Sequence, residues 1–332
     1  MIADVIVDLQ FGDCGKGKVA NHLCKEGDYS HIIRYNGGCN AGHTIYNNGK
    51  KFVTHHIPCG VFHGVKSIIG PGCVIQPDLF AKEMANLKDQ GYDVDSLVKI
   101  AENAHIITDF HLVQDSTDTK IGTTKRGNGP AYRDKYARKG IRASEIPSLA
   151  PYLIDMHDEL YKNRNKDLKI LFEGAQGFGL DVDWGDYPFV TSSHCTSGGA
   201  VLNGVSPRNI RDIWGVAKVY ETYVGKRSHE GDDPIFPLIR KFGEEYGATT
   251  GRDRQINWMN WDLIERAVNI NGVNKIVFNK VDILDTVKRW PLLQDGILYE
   301  FESSEDMQFW IKQNLEDSDI DQVFFSGNKD RI

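Results

Sequence analysis

The sequence predicts an α/β protein with a mainly parallel central sheet and helices on both faces. Three observations carry that reading. An apolar, β-branched run at 2–9 leads into a glycine-rich turn and then into KVANHLCKEG, whose apolar spacing and closing glycine are those of a helix. Short apolar runs recur at HIIRY, KSIIG, HIITDF, KILFEGAQG, DIWGVAKVY and NKIVFNKVD, with helix-like stretches such as DLFAKEMANLKDQG and LAPYLIDMHDELYKN between several of them. The 332 residues, 40% hydrophobic and 26% charged, suffice for a large buried core.

Neither a repeat, a low-complexity tract nor a Pro/Gly/Ser linker interrupts the pattern, so a single domain over 1–332 is expected. A net charge of −7 argues against a general nucleic-acid surface but is compatible with one basic pocket for a nucleotide. The six cysteines form no C-x-x-C pair, which points to reduced thiols in a cytoplasm rather than disulfides or structural zinc. No stretch of 18 apolar residues suggests a membrane span, and the first residues lack the basic and apolar segments of an export signal.

The first turn reads Gly12-Asp13-Cys14-Gly15-Lys16-Gly17-Lys18. Successive N–H groups of a glycine-rich turn entering a helix make an anion nest, and the lysines add charge where phosphate oxygens would lie. Val19 stands where a Ser or Thr hydroxyl usually helps to hold magnesium. Asp13 would repel phosphate unless it held a cation or took a proton, so it is the expected substitute.

Next, the loop from Arg34 to Thr44 contains Asn40 and ends in His43, an imidazole that can serve a phosphoryl group as acid or hydrogen-bond donor. His55, His56 and Cys59 imitate a metal cluster, but adjacent histidines on an extended segment point to opposite faces and read as structural. The stretches IGTTKRGNGPAYRDKYAR, ending at Arg138, and GATTGRDR, over 247–254, set hydroxyls beside arginines, the residue types that hold phosphates and carboxylates. Two further turns, around Gln176 and Thr191, offer amide and hydroxyl contacts.

Asn279-Lys280-Val281-Asp282 follows an apolar run, and N-K-x-D in that position reads guanine, because the carboxylate accepts from N1–H and the 2-amino group. Joined to a phosphate loop it points to GTP. A D-x-x-G match over 212–215 follows no apolar run and reads as chance, so a regulatory GTPase is the weaker alternative.

GDCGKGK, NGGCNAGHT, IGTTKRGNGPAY, FEGAQG, YPFVTSS, GATTGR and NKVD occur in the order of the corresponding motifs of adenylosuccinate synthetase, a family this chain resembles from about residue 5 to 285. The resemblance implies a P-loop-like nucleotide-binding ligase fold and a GTP- and magnesium-dependent ligase. That enzyme phosphorylates the 6-oxygen of a purine nucleotide, and the amine of L-aspartate then displaces phosphate.

By resemblance, Asp13 takes the N1 proton and shares the metal with the Gly42 carbonyl, and His43 stabilises the transferring phosphoryl. Gly12, Gly15, Lys16, Gly17, Lys18 and Thr44 would hold GTP, with Lys280 and Asp282 at its guanine and Ser326 and Gly327 in a closing base loop. Asn40, Thr124, Gln176, Thr191 and Val224 would contact the acceptor nucleotide. Arg138 would reach its phosphate across a homodimer interface. Thr249, Thr250, Arg252 and Arg254 would clasp the aspartate carboxylates.

The chain departs from the family at Phe11, Cys14 and Lys125, where Trp, Glu and Gly are usual, and its length is that of the short archaeal and phage forms. A small neutral Cys14 beside Asp13 leaves room for a guanine 2-amino group. That favours dGMP as acceptor, for 2-aminoadenine DNA made in a phage host's cytoplasm, with IMP in AMP biosynthesis as the alternative.

Overall fold

The computed structural model describes residues 1–47, 49–162, 167–247, 251–316, 318–329 and 331–332. Nine strands form one wholly parallel sheet, flanked by helices, in the order Gln322–Ser326, Lys275–Asn279, Ile210–Lys218, β1 (Ile2–Asp8), Lys169–Glu173, His31–Arg34, Lys66–Ile69, Val98–Ala101 and Leu153–Ile154. Six of the seven residues of β1 and all four of His31–Arg34 are buried, as expected of strands covered on both faces. This is why the strands announce themselves as continuous apolar runs rather than as alternation.

Helix α1 (Lys16–Glu26) follows β1 as predicted and ends at Gly27, whose N–H donates to the Leu23 carbonyl. The helix Pro77–Asp89 starts on a proline, with the Gln76 side chain accepting from the Leu79 N–H. A second sheet, Tyr220–Tyr223, Gln255–Asn260, Trp290–Gln294 and Ile297–Phe301, carries the 224–230 and 251–254 segments at its ends. No helix among the described residues is long and apolar enough to cross a membrane.

The structure corrects some local readings. LAPYLIDMHDELYKN is not a continuous helix. Pro147 opens a tight turn and Pro151 lies inside it, after which Leu153–Ile154 pairs with Val98–Ala101. HIITDF supplies only the two-residue strand His105–Ile106, beside Val74–Ile75 rather than in the main sheet. Val98–Ala101, Leu153–Ile154 and Gln322–Ser326 are sheet strands that the apolar-run pattern does not single out.

The last residues of six adjacent strands are polar: Ser326, Asn279, Lys218, Asp8, Glu173 and Arg34. All six are buried, and because the strands are parallel they lie along one edge of the sheet. Ligands of open α/β sheets bind outside this carboxyl edge, and buried polar groups in such numbers must partner one another or a ligand.

Candidate functional site

Asp8 organises the glycine-rich turn. Its Oδ1 accepts from the N–H of Gln10 and of Gly12, both at 3.1 Å, and its Oδ2 accepts from the Cys14 N–H at 3.1 Å and from Lys16 Nζ at 2.9 Å. The carboxylate thus folds the turn around itself. Lys16 is buried in this pair and also donates to the Gln176 carbonyl, so its ammonium ties the turn to the Gln176 loop. Gly15 has φ +102°, and a Cβ there would come within 2.8 Å of Asn279 Nδ2. That amide donates to the Cys14 carbonyl at 2.7 Å, so the Asn of N-K-V-D also ties down the phosphate loop.

Lys18 leaves the loop in the other direction, donating to Ser326 Oγ at 2.9 Å and the Asn328 carbonyl at 3.0 Å. It therefore joins the start of α1 to the turn after Ser326. At that end Gly327 lies against Asp282 so closely that a Cβ on it would approach Asp282 Cβ to 2.8 Å, and Lys280 Nζ donates to the Gly243 carbonyl at 2.7 Å. Ser326, Gly327, Lys280 and Asp282 come together as one group, about the ends of two paired strands.

His43 is buried in a charged triad. Glu173 Oε1 accepts from Arg34 Nη2 at 2.8 Å and from His43 Nδ1, and Oε2 accepts from the Cys59 N–H at 3.0 Å. An ionised carboxylate can only accept, so its bond assigns the His43 proton to Nδ1, and Arg34 Nη2, 3.1 Å from the same nitrogen, acts there through its charge. Burial, reinforced by the Arg34 guanidinium, lowers His43 to about 4. Burial pushes Glu173 the opposite way, but Arg34, the imidazole and the Cys59 amide outweigh it and hold the carboxyl at about 2. Near neutral pH His43 is uncharged, and Arg34 supplies the charge that keeps Glu173 ionised. A Cβ on Gly17 would lie 3.1 Å from His43 Cβ and from the Thr44 carbonyl, so α1 begins directly against this histidine.

Asp13 sits at φ +57° and its side chain is 38% exposed, open toward the site. Arg254 Nη2 pairs with its Oδ2 at 3.0 Å, while Nη1 pairs with Glu245. Glu245 is fully buried and also receives Lys218 Nζ at 3.0 Å and the Tyr220 hydroxyl at 2.6 Å. Burial raises its carboxyl, but Lys218, Arg254 and Lys280 prevail and hold it at about 2. Arg254, expected at the aspartate carboxylates, is here the partner of Asp13.

Cys14 corrects an expectation. Its thiol is 1% exposed and donates to Gln10 Oε1 at 3.1 Å, and burial raises its pKa far above the ordinary value. It faces Gln10 and the Gly12 carbonyl inside the turn.

Of the other expected residues, Asn40 Oδ1 accepts from the Gly38 N–H at 3.1 Å and from Asn128 Nδ2 at 2.7 Å. Gln176, at φ +59°, has a buried Oε1 without a hydrogen-bond partner among the described residues, and Thr191, Val224 and Gly42 are half-buried. Thr124 lines an open groove of about 610 Å³ with Lys125 and Arg126. Arg138 is exposed at the end of the Asn128–Tyr136 helix, and Arg252 is exposed in the 251–254 segment. Thr249 and Thr250 lie outside the described residues. Asp212, from the D-x-x-G match, sits within a strand and accepts from Lys275 and Asn274.

Sequence reasoning missed Asp8, Glu173, Lys218 and Glu245 as site residues. For the first three a signal exists: a charged residue as the last member of an apolar run. For a metal, the part-exposed Asp13 carboxylate is an oxygen donor of the kind that suits magnesium.

The family model for adenylosuccinate synthetase matches residues 5–150 and 144–317. The adenylosuccinate synthetase of Chlorobium chlorochromatii is 38% identical over 86% of this chain and 77% of its own, and that of Thermodesulfovibrio yellowstonii 37% over 86% and 78%. The fully ligated adenylosuccinate synthetase of Plasmodium falciparum superposes with a TM-score of 0.87 at 26% identity, covering 99% of this chain and 98% of its own. The succinoaminodeoxyadenylate synthetase of cyanophage S-2L, bound to dGMP and dATP, shares the fold, with a TM-score of 0.71 at 21% identity over 94% and 99% of the two chains.

Proposed function

The chain belongs to the adenylosuccinate synthetase family, and we propose that it joins L-aspartate to C6 of IMP at the expense of GTP, as one catalytic domain over 1–332. The observation that carries this reading is that the chain presents both Asp13, part-exposed in the glycine-rich turn and paired with Arg254, and His43, held against the start of α1 by Glu173. A GTP-binding switch has no task for that pair or for the arginine next to Asp13.

In this reading Arg254 leaves Asp13 for the aspartate carboxylates, and Asp13 accepts the N1 proton of the 6-oxopurine. The 6-oxygen, made nucleophilic by that loss, attacks the γ-phosphorus of GTP as GDP departs. His43, oriented by Glu173 through Nδ1, presents Nε2 to the transferring group. The aspartate amine then adds at C6, phosphate leaves with the former 6-oxygen, and the amine gives up a proton. Magnesium, when bound by Asp13 and the Gly42 carbonyl, offsets phosphate charge. Asn40, Thr124, Gln176, Thr191 and Val224 hold the acceptor, with Arg138 reaching it from the second copy of a homodimer. Gly12, Gly15, Lys16, Gly17, Lys18 and Thr44 line the GTP phosphates, and Lys280, Asp282, Ser326 and Gly327 hold the guanine. Thr249, Thr250 and Arg252 take the aspartate with Arg254.

IMP is favoured over dGMP by sequence similarity. The adenylosuccinate synthetases share 37–38% of aligned residues with this chain, and the dGMP-bound phage enzyme, at 21%, shares the fold alone. The test is phosphate release with GTP, magnesium and L-aspartate, comparing IMP, dIMP, GMP and dGMP. IMP turnover that needs aspartate is expected. Preference for dGMP would reinstate the deoxyguanylate reading, and hydrolysis indifferent to aspartate would favour the switch protein.

A further inference from the structure

We infer that the 224–229 segment is the element that holds the acceptor-nucleotide loops in register with the phosphate loop, with Lys226 and Arg227 as its positioning residues. The inference rests on the preceding reading for the roles of Thr124, Thr191 and Val224. Four contacts converge on these few residues, each from a different part of the chain.

Lys226 reaches the loop that leads to Thr124. Its N–H donates to the Ile121 carbonyl at 3.3 Å and its Nζ to the Thr119 carbonyl at 2.5 Å, while a Cβ on Gly122 would touch its Cγ at 2.8 Å. Arg227 reaches the loop that leads to Thr191 through its ion pair with Asp186. The same guanidinium lies 4.8 Å from the ring centre of Phe11 and 5.0 Å from that of Tyr223. Phe11 immediately precedes Gly12 and Asp13, so Arg227 touches the catalytic turn and the nucleotide loop together. Its Nη2 also donates to His229 Nδ1 at 2.9 Å, and burial together with the Arg227 charge keeps that histidine neutral, as an acceptor must be.

The fourth contact comes from beside Arg254. Gln255 Nε2 donates to the carbonyls of Gly225 at 3.1 Å and Arg227 at 2.8 Å, and its Oε1 accepts from the N–H groups of His229 at 2.8 Å and Glu230 at 3.2 Å. One amide is thus spent entirely on fixing this segment to the strand that follows the aspartate-binding arginines. Misplacement of reacting groups by about 1 Å costs on the order of 100-fold in rate, so a clamp on three ligand loops acts on catalysis without touching substrate.

The test measures equilibrium binding of IMP and of GTP by calorimetry, together with steady-state kinetics, for Arg227→Ala, Asp186→Ala, their double variant and Lys226→Ala. Expected are acceptor Kd and KM raised at least about 10-fold and kcat lowered about 10-fold in Arg227→Ala, with GTP Kd within about twofold. Asp186→Ala should add less than about threefold in the Arg227→Ala background, since one contact is already lost. Arg227→Lys, which keeps the charge but not the planar stack, should recover part of the loss. Lys226→Ala, which truncates an exposed side chain, should reproduce the acceptor effect in a folded protein. Equal changes in IMP and GTP binding, or an unchanged acceptor Kd in both Arg227→Ala and Lys226→Ala, would overturn the inference. A wild-type protein that binds neither IMP nor dGMP would overturn the acceptor reading itself.

Discussion

Replacing Glu173 with Gln removes the negative charge that Arg34 and His43 share while leaving the shape of the side chain. The carboxyl is held at about 2 against an ordinary 4.5, and the group is fully buried, so solvent screening takes little from the effect. A difference of that size corresponds to about 3 kcal/mol of folding stability. Breaking a buried pair by removing one partner independently suggests roughly 3–5 kcal/mol, because Arg34 is left charged and nearly out of water. The folded value lies below the unfolded one, so this stability is present above about pH 4.5 and is lost as the pH falls toward 2. By pH 3.5 roughly 1.5 kcal/mol of it has gone. Urea unfolding followed by tryptophan fluorescence should therefore find the variant about 3 kcal/mol less stable at pH 7, with the gap to wild type narrowing by about half at pH 3.5. With the carboxylate that orients His43 replaced by a neutral amide, kcat should fall about 100-fold. A variant within 1 kcal/mol of wild type at pH 7, or a gap that does not narrow in acid, would refute the assignment of Arg34, His43 and Glu173 as one charged unit.

Asp8→Asn offers a single acceptor oxygen where four donors converge, so two or more lose their partners at roughly 1–3 kcal/mol each. GTP affinity measured by calorimetry should drop at least about 10-fold with it, and unchanged affinity would show that the turn holds itself. Asp282→Asn should weaken GTP about 10- to 100-fold through lost charge-assisted bonds, without comparable effect on the KM for L-aspartate. Glu221 runs the other way. Burial raises its carboxyl to about 8, so its contribution is present below its ordinary 4.5 and is lost as pH rises toward 8. Glu221→Gln should flatten the decline in unfolding free energy between pH 5 and 8, and an unchanged slope would mean that the carboxyl is ionised in the folded protein.

What the sequence by itself determined is local. The run at 2–9, the glycine-rich turn and α1 are contiguous, and the order of motifs along the chain names the family. Strands buried on both faces appear as apolar runs, so most of the central sheet is legible. A strand of two residues such as Leu153–Ile154 has too few positions to show a pattern, and it exists because Val98–Ala101 offers it an edge. The motif residues were legible one by one, but their partners were not. Asp8 with Lys16 is a short step in the chain, whereas His43 meets Glu173 across 130 residues and Asn279 meets Cys14 across 265. Periodicity carries no information over such separations; only the order of strands in the sheet brings these side chains to one edge. Cys14 makes the same point at a single residue. Its place in the motif suggested a pocket wall, while the backbone of the turn points its thiol into Gln10. Composition and spacing decide which chemistry a chain can offer, and tertiary structure decides which groups meet, because burial and hydrogen bonding act on neighbours in space rather than in sequence.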